Sequence, residues 1–594
     1  MSRTPRRSPL LALLATAGIL VAACGGAATP SPAASAAASP AASAAASAAA
    51  SAAASAAASA APSAEAFTPM VYPTTGTVDC KAQTFGGKAY TGEVKAIKAL
   101  DAKTVEFDLC VPDVAFLSKI AFSSFAINDT AYLAAHVPDG SIVQQPNGTG
   151  PYMLKEWVKG DHITLVANPN WTGTPALAPT VVVKWSAEAA QRLVELQSGN
   201  VDGIDNVGTT DFTSVSNDST LKLYPREGLN TLYLGMNVAD KPWDNEKVRQ
   251  AIAMGIDRAQ IVKNFYPGGS TVADYFTPCA IPNGCVGDPW YTFDPVAAKK
   301  LLAEAGFPNG LTTKLQLRDA VRGYMPQPKI IAQEVQAQLK KNLNITATIE
   351  VQESTTYIDN SNKGKLDGLF LLGWGVDYPD QTDFVDYHFA GGTPAFGPLF
   401  PDIVAAIKKA AQGASDAARQ ADYVTVNNLI KQHVPMVPIA HGGSATAFKA
   451  DVVGAHSSPL TSEVFAVMKP GDRTQLVFSQ NAEPGGLYCA DESDGESLRV
   501  CEQITQGLYG YKVAGTSVEP ALAKQCTPSA DLTTWTCALQ ENVKFADGST
   551  FDANDVVLSF AVQWDAANPL HTGRTGDFTY WAGLFGGFLN PPAK

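Results

Sequence analysis

No G-x-S-x-G elbow, H-E-x-x-H helix or G-x-x-x-x-G-K-[ST] phosphate loop occurs in this sequence, so the commonest signatures of hydrolases, metalloproteases and nucleotide-binding enzymes are missing. Its 7 histidines are scattered and there is no C-x-x-C pair, which removes the usual zinc spacings. Basic residues are also in deficit. With 43 Lys+Arg against 56 Asp+Glu the net charge is −13, and a surface without a basic surplus is poorly suited to phosphate backbones. The strand and helix patterns follow no fixed period, so no repeat architecture is present. These absences predict a protein without metal, cofactor or nucleic-acid partner, and they offer nothing that points to catalysis.

What is present begins at the amino terminus. Arg3, Arg6 and Arg7 precede the apolar run LLALLATAGIL (10–20), which is too short to span a bilayer and reads as a leader. Val-Ala-Ala-Cys-Gly (21–25) follows, a run of small residues before a cysteine that resembles a bacterial lipobox. It marks Cys24 as an acylation site and the mature protein as held at a membrane surface. Residues 25–66 are almost wholly Ala, Ser and Pro, with no apolar face, and read as an extended tether. Of the 9 cysteines, setting Cys24 aside leaves an even number for an oxidising compartment. Cys526 and Cys537 flank a turn between two strand-like runs, and Cys489 with Cys501 and Cys279 with Cys285 are likewise local. Cys80 and Cys110 then remain, although spacing suggests these pairs without fixing them.

From about Phe67 the composition is globular. EVKAIKALDAKTVEFDLCVP (93–112) predicts two strands about a turn at Asp101-Ala102, and HITLVANPNW and APTVVVKW predict two more. Helical spacing marks 186–203, 245–266, 293–307 and 329–345, with Asp294, Pro295 and Gly306 punctuating the third. The strand ITATIEVQ and the buried strand LDGLFLLGW come next. Near the carboxyl end VKFADGSTFDANDVVLSF gives a short strand, an Asp547-Gly548 turn and a helix opened by Asp552. Strands alternating with helices at this spacing predict an α/β fold.

Two places can carry binding chemistry. In GWGVDYPDQTDF (373–384) a buried strand ends at Trp374 and enters a loop, and ligands of open α/β sheets gather outside the carboxyl ends of strands. Asp377 there can accept a charge-assisted bond from an ammonium group, while a solvated acidic turn is the plainer reading of these residues alone. Asp377 and Asp380 form an acid pair with no evident base or nucleophile. Arg322, in DAVRGYMPQP, offers a fork suited to a carboxylate, though a surface arginine explains it equally. NGTGPY (147–152) has close glycines but no following helix, and reads as a tight turn.

Five passages, NGTGPYMLKEW, LYLGMNVADKPWDNEKVRQAIAMGIDR, FDPVAAKKLLAEAGF, GWGVDYPDQTDF and VKFADGSTFDANDVVLSF, together resemble the extracytoplasmic solute-binding proteins of family 5, the dipeptide and oligopeptide receptors of ABC importers. The resemblance implies a type II periplasmic-binding fold: two α/β lobes with a hinge and an extra subdomain on the first lobe. It implies that Asp377 binds a peptide α-ammonium, that Arg322 in R-x-Y-x-P spacing with Tyr324 meets the peptide carboxylate, and that Trp374, Gly375 and Tyr378 line the cleft. The implied protein is a monomeric, non-enzymatic receptor, lipid-anchored outside the cell membrane, that passes a peptide or related solute to a permease. A nickel-chelate or sugar binder of the same fold, or a secreted hydrolase, is the alternative. In the family, stretches like TQLVFSQNAEPGG and VKFADGSTFDANDVVLSF come early, whereas here they come last, which implies a circular permutation. The expected division is leader 1–24, tether 25–66, second half of the extra subdomain 67–160, first lobe 161–278, second lobe 279–445, remainder of the first lobe with the joined old termini 446–505, and first half of the extra subdomain 506–594.

Overall fold

Local chemistry explains where elements begin. The Asp552 carboxylate accepts from the Asn554 amide at the start of the helix Ala553–Trp564, and Asp555 accepts from the Asp552 amide to complete a capping box. Gly548, at φ 95°, turns the chain just before it, between the bridged residues Lys544 and Thr550. Asp294 and Pro295 open the helix Pro295–Glu304 by the same logic. A computed structural model describes residues 67–591, apart from 82, 86–87, 319–321, 353–356, 358–359, 362, 391–392 and 414. The leader, Cys24, the Ala/Ser/Pro segment and Lys594 lie outside the described residues.

Three large sheets organise the chain. The seven-stranded sheet runs 221–226, 444–449, 203–204, 475–480, 180–185, 162–167, 152–158, with 475–480 parallel to both 180–185 and 203–204. The six-stranded sheet runs 271–272, 436–441, 230–236, 369–375, 312–318, 346–352. The five-stranded sheet runs 71–72, 94–101, 104–109, 534–539, 523–528, so the two ends of the described chain share one sheet, with Val105 opposite Cys537 and Phe107 opposite Trp535. Each sheet backs a core of its own, centred on residues such as Trp243 and Phe370 for the six-stranded sheet, Phe107 and Trp564 for the five-stranded one, and Phe448 and Phe478 for the seven-stranded one.

Sheet membership cuts across two of the expected segments. Asn230–Met236 and Thr271–Val272 belong to the six-stranded sheet, although they fall within 161–278. Tyr152–Val158 is an edge strand of the seven-stranded sheet, although it falls within 67–160. The chain passes between these two sheets where strand Leu221–Arg226 gives way to Asn230–Met236, and where Met436–His441 gives way to Ser444–Lys449. These short crossings connect the seven-stranded and six-stranded sheets.

The crossings are packed backbone against backbone. A Cβ on Gly228 would lie 1.8 Å from the Gly442 carbonyl oxygen, and one on Gly442 would lie 1.9 Å from that of Gly323, so both positions require glycine. The Asn230 side chain brackets Gly442, donating from Nδ2 to its oxygen at 2.8 Å and accepting from its amide at 2.9 Å.

Beside the first crossing lies a ring of buried charge. Arg226 contacts Asp205 at 2.9 Å and Glu463 at 2.5 Å, while Arg499 contacts the same two carboxylates at 2.7 and 2.9 Å. Arg226 also donates to Ser444 Oγ at 3.1 Å, across the second crossing. None of the four ring members is more than 3% exposed. Burial alone would raise the Asp205 carboxyl, but Arg499 and Arg226 hold it down at about 2.

The first and last described segments meet at Asp565. Its carboxylate accepts from the Tyr72 hydroxyl and, at 3.0 Å, from Asn590 Nδ2, and its backbone bridges Leu589. Disulfides join Cys80–Cys110, Cys279–Cys285, Cys489–Cys501 and Cys526–Cys537. Cys526 and Cys537 are direct cross-strand partners.

Breaking the charge ring should be costly. Arg499→Met leaves two buried carboxylates to one arginine, and urea unfolding should show a loss of about 3–5 kcal/mol. Because the folded Asp205 pKa lies below its unfolded value, its contribution is complete above the ordinary carboxylate range and fades as pH falls toward about 2. Acid unfolding followed by circular dichroism should therefore begin at higher pH in Asp205→Asn.

Candidate functional site

The strand Leu369–Gly375 is buried along its first four residues and pairs antiparallel with Asn230–Met236, placing Gly375 opposite Asn230 at the crossing end of the six-stranded sheet. The Val376 amide then donates to the Leu229 oxygen at 2.9 Å, fixing the loop to the crossing itself. Asp377 follows, half-buried. Helix Gln381–Phe389 closes the loop, with Asp380 accepting from the Thr382 amide as its cap.

Four carboxyls crowd this loop and its helix, and they differ in what neutralises them. Asp380 is buried, which works against its charge, but two bonds of 3.0 and 2.6 Å from Arg419 hold it below the usual range. Asp383 accepts from the Asp377 amide at 3.0 Å. Burial first, and the Asp377 charge second, push the Asp383 carboxyl well up. Loss of solvent raises Asp377 to about 6 and Asp386 to about 7. Among the described residues, no Lys, Arg or His nitrogen lies within ion-pair distance of Asp377, Asp383 or Asp386.

The opposite wall comes from the five-stranded-sheet region. Lys119, on the helix Phe116–Ile120, contacts Glu93 at 2.8 Å and Asp113 at 3.0 Å, and its Nζ stands 5.5 Å from the Tyr378 ring. Tyr378 bonds Thr382 through its hydroxyl at 3.1 Å. Tyr580 packs its ring on Phe122 at 4.5 Å; burial, followed by the charges of Asp377, Asp494 and Asp383, raises its hydroxyl to about 12. Acidic groups of one sheet thus face an aromatic and mostly acidic wall of another.

Trp374 stacks on Tyr387 at 4.4 Å, with His388 edge-on at 5.0 Å. Burial drops the His388 pKa to about 3, so the imidazole is neutral, and its Nδ1–H donates to the Phe384 carbonyl at 2.7 Å. His388 is therefore part of the aromatic packing. Arg322 stands on an exposed turn closed by paired backbone bonds with Met325. Tyr324 is buried beside it, accepting at its hydroxyl from Arg318 at 2.9 Å, with its ring where a Cβ on Gly373 would sit. The Arg322–Tyr324 turn touches the crossing through Gly323 and Gly442.

The structure thus gathers Trp374, Gly375, Asp377 and Tyr378 on one loop and sets the Arg322–Tyr324 turn at the same end of the sheet. Sequence reasoning did not single out Asp383 and Asp386, whose i, i+3 spacing on a helix was the available signal, or Lys119 and Tyr580, for which there was none. Among the described residues no cluster of His, Cys, Asp and Glu is arranged to hold a metal ion, and no helix is long and apolar enough to cross a membrane.

The chain matches the family described as bacterial extracellular solute-binding proteins, family 5 Middle, over residues 41–395 and 517–578. It is 27% identical over 383 residues to the heme-binding protein A of Haemophilus influenzae, covering 63% of this chain and 69% of that one. Identity to the dipeptide-binding protein of Escherichia coli is also 27%, over 395 residues, 64% of this chain and 72% of that one. Among solved structures it is similar to HbpA2 from Haemophilus parasuis, with TM-score 0.60, 27% identity, and coverage of 64% of this chain and 76% of that chain. Its fold is the type II periplasmic-binding arrangement.

The pairing of acids has a direct consequence. Asp377→Asn removes the like charge beside Asp383, so the Asp383 midpoint should move down in carboxyl-detected NMR titration of the variant.

Proposed function

Because this chain belongs to the bacterial extracellular solute-binding proteins of family 5, a family of binding proteins rather than enzymes, we propose that it captures peptides between its six-stranded sheet and the rest of the molecule, with Asp377 receiving the peptide α-ammonium. One observation carries this: Asp377 is a half-buried carboxyl, raised to about 6 by lost solvent, with no cation in ion-pair reach among the described residues. A buried carboxylate without a partner is costly, and an ammonium group is the partner that relieves it. Trp374, Gly375 and Tyr378 line the place beside it. Arg322 meets the peptide carboxylate from the adjacent turn, with Tyr324 holding that turn in place. Closure pivots on the Gly228 and Gly442 crossings, as expected for hinged receptors of this kind.

Acylation of Cys24 would hold the protein outside the cell membrane through the Ala/Ser/Pro segment, beside the permease of an ABC importer that takes the peptide onward. The passage order is that of a circular permutation. Two features support it: strands from both ends share the five-stranded sheet, and the pair Val452–Val453 with Lys469–Pro470 leads through Gly471 straight into the central strand Gln475–Gln480. The first lobe then comprises the seven-stranded sheet, the extra subdomain the five-stranded one, and the second lobe the six-stranded sheet between the crossings. A relative named as heme-binding favours, as a second reading, a non-peptide solute such as a chelate. Mass spectrometry of co-purifying ligand separates the two.

Calorimetry with a pool of short unmodified peptides should show saturable binding that weakens about tenfold or more in Asp377→Ala, the scale of a hydrogen bond to a charged group. Unchanged affinity would remove the ammonium role. N-acetylated peptides should bind the wild-type chain as weakly as free peptides bind the variant. An ammonium favours ionised Asp377, so affinity should fall as pH drops through about 6, and this fall should be absent in Asp377→Asn.

A further inference from the structure

Away from the acidic loop lies a partly open cavity of about 480 Å³. Its walls come from residues 121–126, 151, 171–177, 458–467 and 502–521. None comes from the stretch between the two crossings, so the cavity belongs to one half of the molecule and does not depend on closure. Its size is that of a small-molecule pocket.

The lining is mostly apolar, with Leu177, Leu460 and Val464 among its walls. Into it, from the last turn of the helix Gly495–Ile504, comes Glu502. The Ser462 and Ser123 hydroxyls stand beside its carboxyl, yet loss of solvent outweighs them and pushes it up to about 7. Arg499, one turn back on the same helix, is committed to Asp205 and Glu463. Among the described residues no cationic nitrogen lies within ion-pair distance of Glu502. Lys512 and Glu519 also line the cavity, but both are exposed and screened by solvent, which leaves Glu502 as its more buried charge.

An apolar chamber with one unpaired carboxylate is a poor place for a hard cation, since calcium takes about 6–8 oxygen ligands. It suits a compact apolar body carrying a single ammonium, whose charge pairs with the carboxylate while the body fills the chamber. We propose that this cavity is a second binding site, for a small organic ammonium ion with an aromatic or branched apolar body, and that Glu502 is its charge-pairing residue. The site is independent of peptide capture at Asp377.

Calorimetry of the wild-type chain with phenethylammonium chloride at about pH 8, above the Glu502 midpoint, should show saturable one-to-one binding. The neutral 2-phenylethanol should bind at least about tenfold more weakly, a contrast that needs no substitution. Glu502→Gln should lose affinity for phenethylammonium by about the same factor while binding peptides as the wild type does. Asp377→Ala should keep the phenethylammonium site intact. The proposal is overturned by absence of saturable binding, by equal affinity for the ammonium and the alcohol, or by unchanged affinity in Glu502→Gln. Loss of the amine in Asp377→Ala would place it in the peptide cleft and overturn it equally.

Discussion

The closed ring of Arg226, Asp205, Arg499 and Glu463 is the constraint around which the molecule is assembled. Its members come from a strand end, a loop after a short strand, a helix and the loop joining Val452–Val453 to Lys469–Pro470, and each charge is matched twice in a buried space. Such a ring gains little over a well-packed apolar cluster, but it tolerates no missing member, because any vacancy strands a charge. That intolerance gives it a role in specifying the arrangement: segments more than 200 residues apart have one way to satisfy it. Arg226 adds a reach to Ser444, so the same side chain is tied to both connections between the two large sheets.

From that fixed point the molecule becomes softer. Past Arg226 the chain runs through glycines whose backbones touch, bracketed by one asparagine, and then into strands that end at the acidic loop. The charge ring and the glycine crossings are adjacent, and the loop that carries Asp377 is tied to the first crossing through Val376. Lys119 and Tyr580 face this loop from the other side, and loss of solvent there raises the titration points of Asp377, Asp383 and Asp386. An incoming positive charge would offset that cost. Under the proposed capture of an ammonium group, affinity and closure would draw on the same electrostatic imbalance.

Much of this was legible from local pattern. Asp552 and Asp294 are caps, the strand ending at Trp374 is buried, and the cross-strand position of Cys526 and Cys537 follows from the turn between them. These depend on neighbours in sequence. Asp380 shows the limit: it looked like one half of an acid pair with Asp377, and instead caps a helix and binds Arg419, 39 residues away. Sheet membership is hidden for a related reason. A strand's propensity does not say which sheet it joins, and Asn230–Met236 crosses over before its helices begin. The charge ring and the Glu502 chamber needed four or five distant segments together, and no periodicity in any one of them announces the others.

Asp565, which meets Tyr72 near one end of the described chain and Asn590 near the other, has a mechanical meaning. A load entering through residue 67 reaches Tyr72 within a few residues and is taken up by the five-stranded sheet, whose strands come from both ends. The path from that grip to the Gly228 and Gly442 crossings runs through the charge ring's half of the molecule. Force applied between the two ends of the described chain therefore loads the five-stranded sheet first, with the six-stranded sheet off its path.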